Sequence, residues 1–292
     1  MTLGPRLAVA AALGLLLAVP LAAAADRPIV AWHPRRAHPG DVAWVQVRGV
    51  SEAATLEGSL GPRTLVFFPY AGGHAAVVGV DLETAAGPQP WSIAVLEPGR
   101  EPRALSGRLT IHKRDFHVQR LTLPPTMVDL DPETERRAVS ESERLSTLYR
   151  TLTPERLWRG PFTRPVAGTE APTGFGARRI INGKPRAPHG GADYAAAKGT
   201  PVVAANGGRV ALVADYFFPG RLIVLDHGLA IYTLYFHLDT VAVTDGELVD
   251  RGQIVGTVGS TGRATGPHLH FGVLVGGARV DPSALMKLDV RD

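Results

Sequence analysis

The residues able to do chemistry in this 292-residue chain concentrate in three short segments of its C-terminal half. PHGGADY contains His189 and Asp193, YFHL contains His237, and TGPHLHFGV contains His268 and His270. Side chains alternate along an extended strand, so residues two or four apart project to the same face. Catalytic zinc sites take three ligands from His, Asp or Glu and keep one position for water. These five residues could fill such a site and leave two for proton transfer and oxyanion stabilisation.

Each segment taken alone is a weak indication of a metal site. A His-x-His pair in a strand is commonly an exposed or hydrogen-bonded pair, and H-x-x-x-D is weaker still. His227, in DHG at a turn, has no partner at ligand spacing, and we interpret it as structural. The hypothesis therefore depends on all three segments occurring together and converging through the fold.

Short strands separated by glycine and proline turns are predicted on both sides of a connector. We expect a mostly β protein, with a small β-sandwich-like domain over residues 26–114 and a mostly antiparallel β domain over residues 166–292. The spacing of about ten residues between the N-terminal strands is typical of a sandwich. The histidines of the N-terminal domain lack ligand spacing, so its predicted role is binding, positioning or inhibition.

The connector, residues 115–165, contains the one convincing helix pattern. Asp131 is predicted to cap it, with Pro132 in the first turn and Glu133 and Glu135 at the positive helix end. An apolar stripe at helical spacing is expected to pack on one of the domains. The stripe consists of Ala138, Leu145, Leu148 and Leu152.

Residues 1–25 are predicted to be a signal peptide, because Arg6 precedes an apolar stretch that ends in small residues before Asp26. An uncleaved anchor helix is the alternative. We expect an exported protein, in the periplasm or the cell wall and extracellular space, without stable membrane insertion after cleavage. The chain has no cysteine, which excludes disulfides, a lipid-modified N-terminal cysteine and thiolate zinc sites. A net charge of +4 without a basic, aromatic-interleaved run argues against nucleic acid as a partner.

Together, HGGADYAAAKGTPVVAA, YFHL and GRATGPHLHFGV, with VDPSALM downstream, resemble the M23 family of zinc metallopeptidases. These are the LytM- and lysostaphin-like peptidoglycan endopeptidases. The similarity covers roughly residues 160–286. The order H-x-x-x-D, H and H-x-H is specific to the family, whereas the N-terminal layout is only loosely similar to its exported bacterial members.

The resemblance implies that His189, Asp193 and His270 bind Zn²⁺ and that His237 and His268 are the catalytic pair. It also implies peptidoglycan as the substrate and hydrolysis of peptide cross-links or stem peptides. The alternative is a non-catalytic LytM-type regulator or activator of a cell-wall amidase, so an amidase or regulatory protein is a possible partner. Intact ligand positions argue against that alternative. Three further residues are candidates for substrate binding, namely Tyr235, Arg178 and Arg179. The alternatives are a buried core position for Tyr235 and simple solvation for the two arginines.

Overall fold

The computed structural model describes residues 27–169 and 172–290, so the predicted signal peptide lies outside the described residues. Within those ranges, no helix has the length and apolar character needed to cross a membrane. The fold is mostly β, with antiparallel pairing in every sheet except for one parallel pair in the connector, and with two α-helices in the described part of the chain. This confirms the fold class predicted from the sequence.

The first eight strands form two four-stranded antiparallel sheets that pack face to face. Their order is β1-β2-β6-β5 in one sheet and β4-β3-β7-β8 in the other. Val45 and Val47 of the first sheet share a buried core with Ile93 and Val95 of the second. The strands are β1 (Ile29–His33), β2 (Val42–Arg48), β3 (Thr55–Leu60), β4 (Arg63–Leu65), β5 (Phe67–Pro69), β6 (Gly73–Gly79), β7 (Gly87–Leu96) and β8 (Arg103–Ile111).

Strand β6 joins this sandwich to the rest of the protein because both of its faces are buried. Ala76 and Val78 lie in the sandwich core, whereas Ala75 and Val77 belong to the larger core of the C-terminal region. An ideal Cβ at Gly79 would lie 2.6 Å from the Ala278 side chain, so only glycine allows this close approach. The sandwich is therefore packed directly onto the C-terminal sheet.

The connector contributes a strand, a short 3-10 turn and a helix. Strand β9 (Val118–Leu121) pairs in parallel with β10 (Arg178–Ile181), which pairs with β11 (Lys184–Pro185). The turn spans Pro125–Met127 and the helix α1 spans Pro132–Leu148. These elements connect the first residues after the sandwich to the segment that leads into His189.

Helix α1 begins as predicted, because the Asp131 side chain accepts hydrogen bonds from the backbone N–H groups of Glu133 and Thr134. Leu145 and Leu148 pack on the C-terminal sheet together with Tyr149. The predicted stripe is wrong at Leu152, which lies beyond the end of the helix and is 50% exposed. Helical periodicity no longer predicts which side chains face the sheet once the helix has ended. Tyr149, and not Leu152, completes the contact with the sheet after Leu148.

The C-terminal region is built on a nine-stranded antiparallel sheet. Its main path is β12-β19-β16-β15-β14-β17, with β18 joining β13 to β16 and β20 pairing with β19. The elements are β12 (Gly191–Ala195), β13 (Pro201–Val203), β14 (Gly208–Tyr216), β15 (Gly220–Asp226), β16 (Ile231–Val241), β17 (Leu248–Val249), β18 (Ile254–Val258), β19 (His268–Val275), β20 (Ala278–Arg279) and the helix α2 (Pro282–Leu285).

His227 is fully buried and organises a hydrogen-bonded network inside this sheet. Its Nδ1 donates to the Gly207 carbonyl at 2.7 Å, so its Nε2 accepts from the Thr233 hydroxyl at 2.7 Å. The Thr233 oxygen lies 3.1 Å from the Tyr235 hydroxyl, which accepts the Ala205 N–H. Burial lowers the pKa of His227 to about 4, which keeps the ring neutral. The sequence interpretation of His227 as structural agrees with this network.

Replacing Thr233 by Val tests the contribution of the network to stability. The substitution keeps the shape of the side chain but leaves His227 Nε2 and the Tyr235 hydroxyl without their buried partner. We expect the free energy of unfolding, measured by urea titration, to fall by about 1–3 kcal/mol. Thr240→Val is the matched control, since Thr240 pairs with Thr257 in an exposed position. Equal effects of the two substitutions would show that the buried network contributes no special stability.

Candidate metal centre

The candidate metal centre forms where β12 pairs with β19. Asp193 lies directly opposite His270 in this antiparallel pair, and Ala195 lies opposite His268. His268 and His270 share one face of β19, while Leu269 points to the opposite face and is fully buried in the core. His189 precedes β12 and is also buried. The predicted alternation is therefore correct for the H-x-H pair.

Three side-chain atoms converge on one point. His189 Nε2 lies 2.8 Å from His270 Nδ1 and 3.2 Å from Asp193 Oδ1. His270 Nδ1 and Asp193 Oδ1 are 3.0 Å apart. Tetrahedral zinc with bonds of 2.0–2.2 Å places its ligand atoms roughly 3.3 Å apart. Two imidazoles and one carboxylate are also a donor set that zinc takes in catalytic sites. The geometry and the chemistry of these residues fit a zinc ion.

Asp193 is held as a carboxylate by its neighbours. Burial disfavours the charge, but the close contacts of the carboxylate with the His189 and His270 rings outweigh burial and hold the pKa of Asp193 well below its usual range. Burial also lowers the pKa of His270, against the opposing effect of Asp193. A neutral imidazole and an ionised carboxylate are the forms that bind a metal ion.

Backbone carbonyls orient three of the four histidines. Nδ1 of His189 donates to Gly174, Nδ1 of His237 to Thr261 and Nδ1 of His268 to Gly266, at 3.0, 2.8 and 2.8 Å. A carbonyl oxygen can only accept, so each of these rings carries its proton on Nδ1 and leaves Nε2 unprotonated. Nε2 is the ligand atom of His189 and the free nitrogen of the other two rings.

His237 and His268 stand beside the three ligands. His268 Nε2 lies 3.9 Å from Asp193 Oδ1, and the His237 ring centre lies 4.8 Å from that of His268. Burial, followed by the neighbouring His270, lowers the pKa of His237 to about 4. The structure thus brings together all five residues that the sequence selected.

His237 reaches this face only because the backbone departs from a regular strand. Its φ is +64°, and its N–H donates to the Pro219 carbonyl instead of to a neighbouring strand. The consecutive side chains of Phe236 and His237 therefore both turn towards the centre. Phe236 stacks on the His270 ring, with 5.3 Å between the ring centres. A left-handed residue other than glycine is uncommon, and such strain is concentrated at functional sites.

The prediction that Tyr235 lines the substrate groove is wrong. It rested on regular alternation between Tyr235 and His237, which the left-handed backbone at His237 breaks. Tyr235 is fully buried in the core, where its hydroxyl accepts the Ala205 N–H at 2.9 Å. The side chain belongs to the His227 network.

The two predicted arginines separate because they alternate along β10. Arg179 Nη2 lies 4.0 Å from Asp193 Oδ2, so Arg179 reaches the candidate centre. Arg178 is exposed and lines a second cavity with Phe116 and Ile180, of which Arg179 also forms part of the wall. Adjacent strand residues project to opposite sides, so Arg178 does not share the contact of Arg179 with Asp193, and its exposure agrees with the alternative of a solvated side chain.

Sequence reasoning pointed to Gly190 and Gly191 as positions of tight backbone near the metal but missed Gly174 and the backbone carbonyls that orient the imidazoles. Gly174, with φ +90°, supplies the carbonyl for His189, and an ideal Cβ there would lie 2.7 Å from His189 Nδ1. A Cβ at Gly191 would lie 2.7 Å from His270 Nε2. The glycines of GFG and HGG were the available signal, but a carbonyl acceptor has no side-chain signature in a sequence.

Replacing Gly174 by Ala is expected to displace the His189 ring and to weaken zinc binding about 10–100-fold, as loss of an orienting partner does. Gly199→Ala is a matched control, because Gly199 has φ +88° and no atom within 4 Å of an added Cβ. Competition with a chromogenic chelator measures the affinity of each variant. Similar zinc affinities for the two variants would contradict the positioning role of Gly174.

Comparison with known proteins gives matches to the region that contains this centre. The model of Peptidase family M23 matches residues 187–282. The peptidoglycan DD-endopeptidases ShyB and ShyA of Vibrio cholerae are 44% identical over 103 residues and 42% identical over 95 residues. These matches cover 35% and 32% of this chain, but only 24% and 22% of the relatives. The chain thus matches about a quarter of the length of these curated relatives.

A solved structure extends the similarity to most of the chain. A protein of Pseudomonas aeruginosa described as a peptidase M23 is 30% identical, with a TM-score of 0.67. The match covers 85% of this chain and 94% of that one, so it includes strands on both sides of the connector. On this similarity and on the match around the centre, the chain belongs to peptidase family M23.

Proposed function

We propose that the protein is a zinc-dependent endopeptidase that hydrolyses peptide cross-links or stem peptides of bacterial peptidoglycan. The observation that carries the proposal is the convergence of three ligand atoms within 3.2 Å, with two carbonyl-oriented histidines beside them. The names of the Vibrio cholerae relatives support the substrate class.

In this proposal His189, Asp193 and His270 hold the zinc ion. A zinc ion in such a site supplies Lewis acidity towards a peptide carbonyl and lowers the pKa of water to about 7. Two neutral imidazoles and one carboxylate leave the loaded site with a net positive charge, which favours developing negative charge in the transition state.

His237 and His268 handle the protons. Each ring keeps Nδ1–H on a backbone carbonyl, so each presents Nε2 to the reaction. One Nε2 accepts the proton of the attacking water, and the other ring, once protonated, donates to the carbonyl oxygen or to the leaving amine. Because the carbonyl bonds fix both rings, these transfers need little reorganisation.

The surroundings leave room for an extended peptide on two sides of the centre. A cavity of about 460 Å³ is lined by Asp193 and by small or hydroxyl side chains, including Thr169, Thr173 and Thr200. A larger groove of about 840 Å³ has Arg179 in its wall, and Arg179 Nη2 lies 4.0 Å from Asp193 Oδ2. Both cavities therefore adjoin Asp193, one directly and one through Arg179.

Export follows from the substrate, which lies outside the cytoplasm. Cleavage after Ala25 would release a mature protein into the periplasm or the cell wall. Peptidoglycan is then the principal partner, and an amidase or regulatory protein is a further one. The mass of the protein recovered from the periplasmic fraction of the host tests this cleavage.

Digestion of purified sacculi tests the catalytic proposal. We expect the zinc-loaded mature protein to convert cross-linked muropeptide dimers into monomers, as read by mass spectrometry, and a chelator to abolish the conversion. His268→Ala is expected to lower the rate constant about 10²–10⁴-fold, the range of a lost acid–base group, while zinc content stays unchanged.

Cleavage that persists after complete removal of the metal would contradict the proposal. So would a His268→Ala variant with full activity. If the wild-type protein binds zinc and sacculi but cleaves no bond, the non-catalytic regulator becomes the better interpretation, and stimulation of a purified amidase is the assay to apply.

A further inference from the structure

The larger groove beside the candidate centre is strongly basic. Helix α1 forms one wall, and the β10–β11 hairpin and the segments around Phe218 and Arg263 form the others. Four basic side chains line it, namely Arg179, Lys184, Arg186 and Arg263.

Two contacts connect this groove to the reacting groups. Arg179 lies 4.0 Å from the Asp193 carboxylate, so the groove begins at the metal ligands. The guanidinium of Arg263 lies over the Phe218 ring at 4.1 Å, and the next residue, Pro219, accepts the backbone N–H of His237. The basic groove therefore adjoins both a candidate metal ligand and the backbone that supports His237.

The described residues neutralise the positive charge of the groove only in part. Two carboxylates line it, of which Asp129 pairs with Lys184 at 3.3 Å and Glu135 lies exposed on α1. Across residues 27–169 and 172–290, Arg186 and Arg263 form no ion pair, and Arg263 donates to the Met127 carbonyl. Burial, followed by the like charges of Arg179 and Arg186, lowers the pKa of Arg263. The three guanidinium groups thus repel one another, and of the three only Arg179 has a carboxylate partner, Asp193, within the described residues.

The cavity on the other side of Asp193 differs in charge. Its walls are alanines, threonines and a glycine, with Asp193 as its only titratable side chain in the described structure. The two sides of the centre would therefore select differently charged parts of a substrate.

We infer that Arg179, Arg186 and Arg263 form a subsite for a free carboxylate of the peptide substrate, next to the bond that is cut. The inference rests on the proposed function and names a specificity-determining feature of the same site. Guanidinium groups bind carboxylates through paired, charge-assisted hydrogen bonds. Stem peptides of peptidoglycan carry such carboxylates, which amidation converts into neutral carboxamides.

Two purified muropeptide dimers test the subsite. They are identical except that the diaminopimelate carboxyl next to the cross-link is free in one and amidated in the other. We expect the wild-type protein to cleave the free-acid dimer with a kcat/KM about tenfold higher, as a lost charge-assisted hydrogen bond predicts. Arg186→Gln and Arg263→Gln should each remove most of this preference by slowing cleavage of the free acid alone.

Arg108→Gln is the matched control, because Arg108 is exposed on β8 of the sandwich. It should keep the full preference. Arg186 is the decisive position, since its exposed side chain can be replaced with little risk to folding. Equal losses on both dimers would overturn the subsite, and so would a wild-type protein that does not distinguish them.

Binding separates this inference from the proposed catalysis. Labelled forms of the two dimers can be titrated into the zinc-loaded His268→Ala protein, with and without Arg186→Gln, by fluorescence anisotropy. Tighter binding of the free acid that is lost with Arg186→Gln would support the subsite even if the wild-type protein cleaved neither dimer. Equal binding of both dimers would overturn the subsite even if both were cleaved.

Discussion

The register between β12 and β19 is the constraint on which the candidate centre depends. It places Asp193 opposite His270, so a carboxylate oxygen and an imidazole nitrogen meet at 3.0 Å. A slip of one residue would move every side chain of a strand to the other face. Leu269 lies between the two histidines and is fully buried. A slip would bring an imidazole into the core and expose Leu269, so the burial of Leu269 prevents the slip.

The backbone provides a second constraint on the site, because its carbonyl groups orient the imidazole rings. The three histidines with carbonyl partners receive their orientation from peptide groups that no side-chain substitution removes directly. The conformation of these segments depends in turn on glycines such as Gly174, whose hydrogen atom faces the His189 ring. Hydrogen bonds from fixed carbonyls select one tautomer and one ring direction, which is how partners beyond the metal ligands tune a metal site.

The sandwich and the connector are covalently joined to the C-terminal region and also pack against it, and this packing contributes to the site. Strand β6 shares one face with the sandwich core and the other with the core beneath the C-terminal sheet. Arg279 of β20 pairs with Asp81 just after β6, so charge contacts reinforce the same junction. Helix α1 covers the sheet face that carries the centre and forms one wall of the basic groove. These contacts hold the groove walls in a fixed relation to the ligands.

The sequence by itself determined the mostly β fold, the helix capped by Asp131 and the five residues of the candidate centre, because strand alternation, capping chemistry and motif spacing are local. Only the tertiary structure decided that Tyr235 lies in the core, that Arg179 and not Arg178 reaches Asp193, and that backbone carbonyls orient the rings. The left-handed backbone at His237 breaks the period of two that the sequence suggested. The positive charge of the groove likewise comes from residues that are distant in the chain, such as Arg179 and Arg263, which are 84 positions apart. Only packing brings these residues onto one surface.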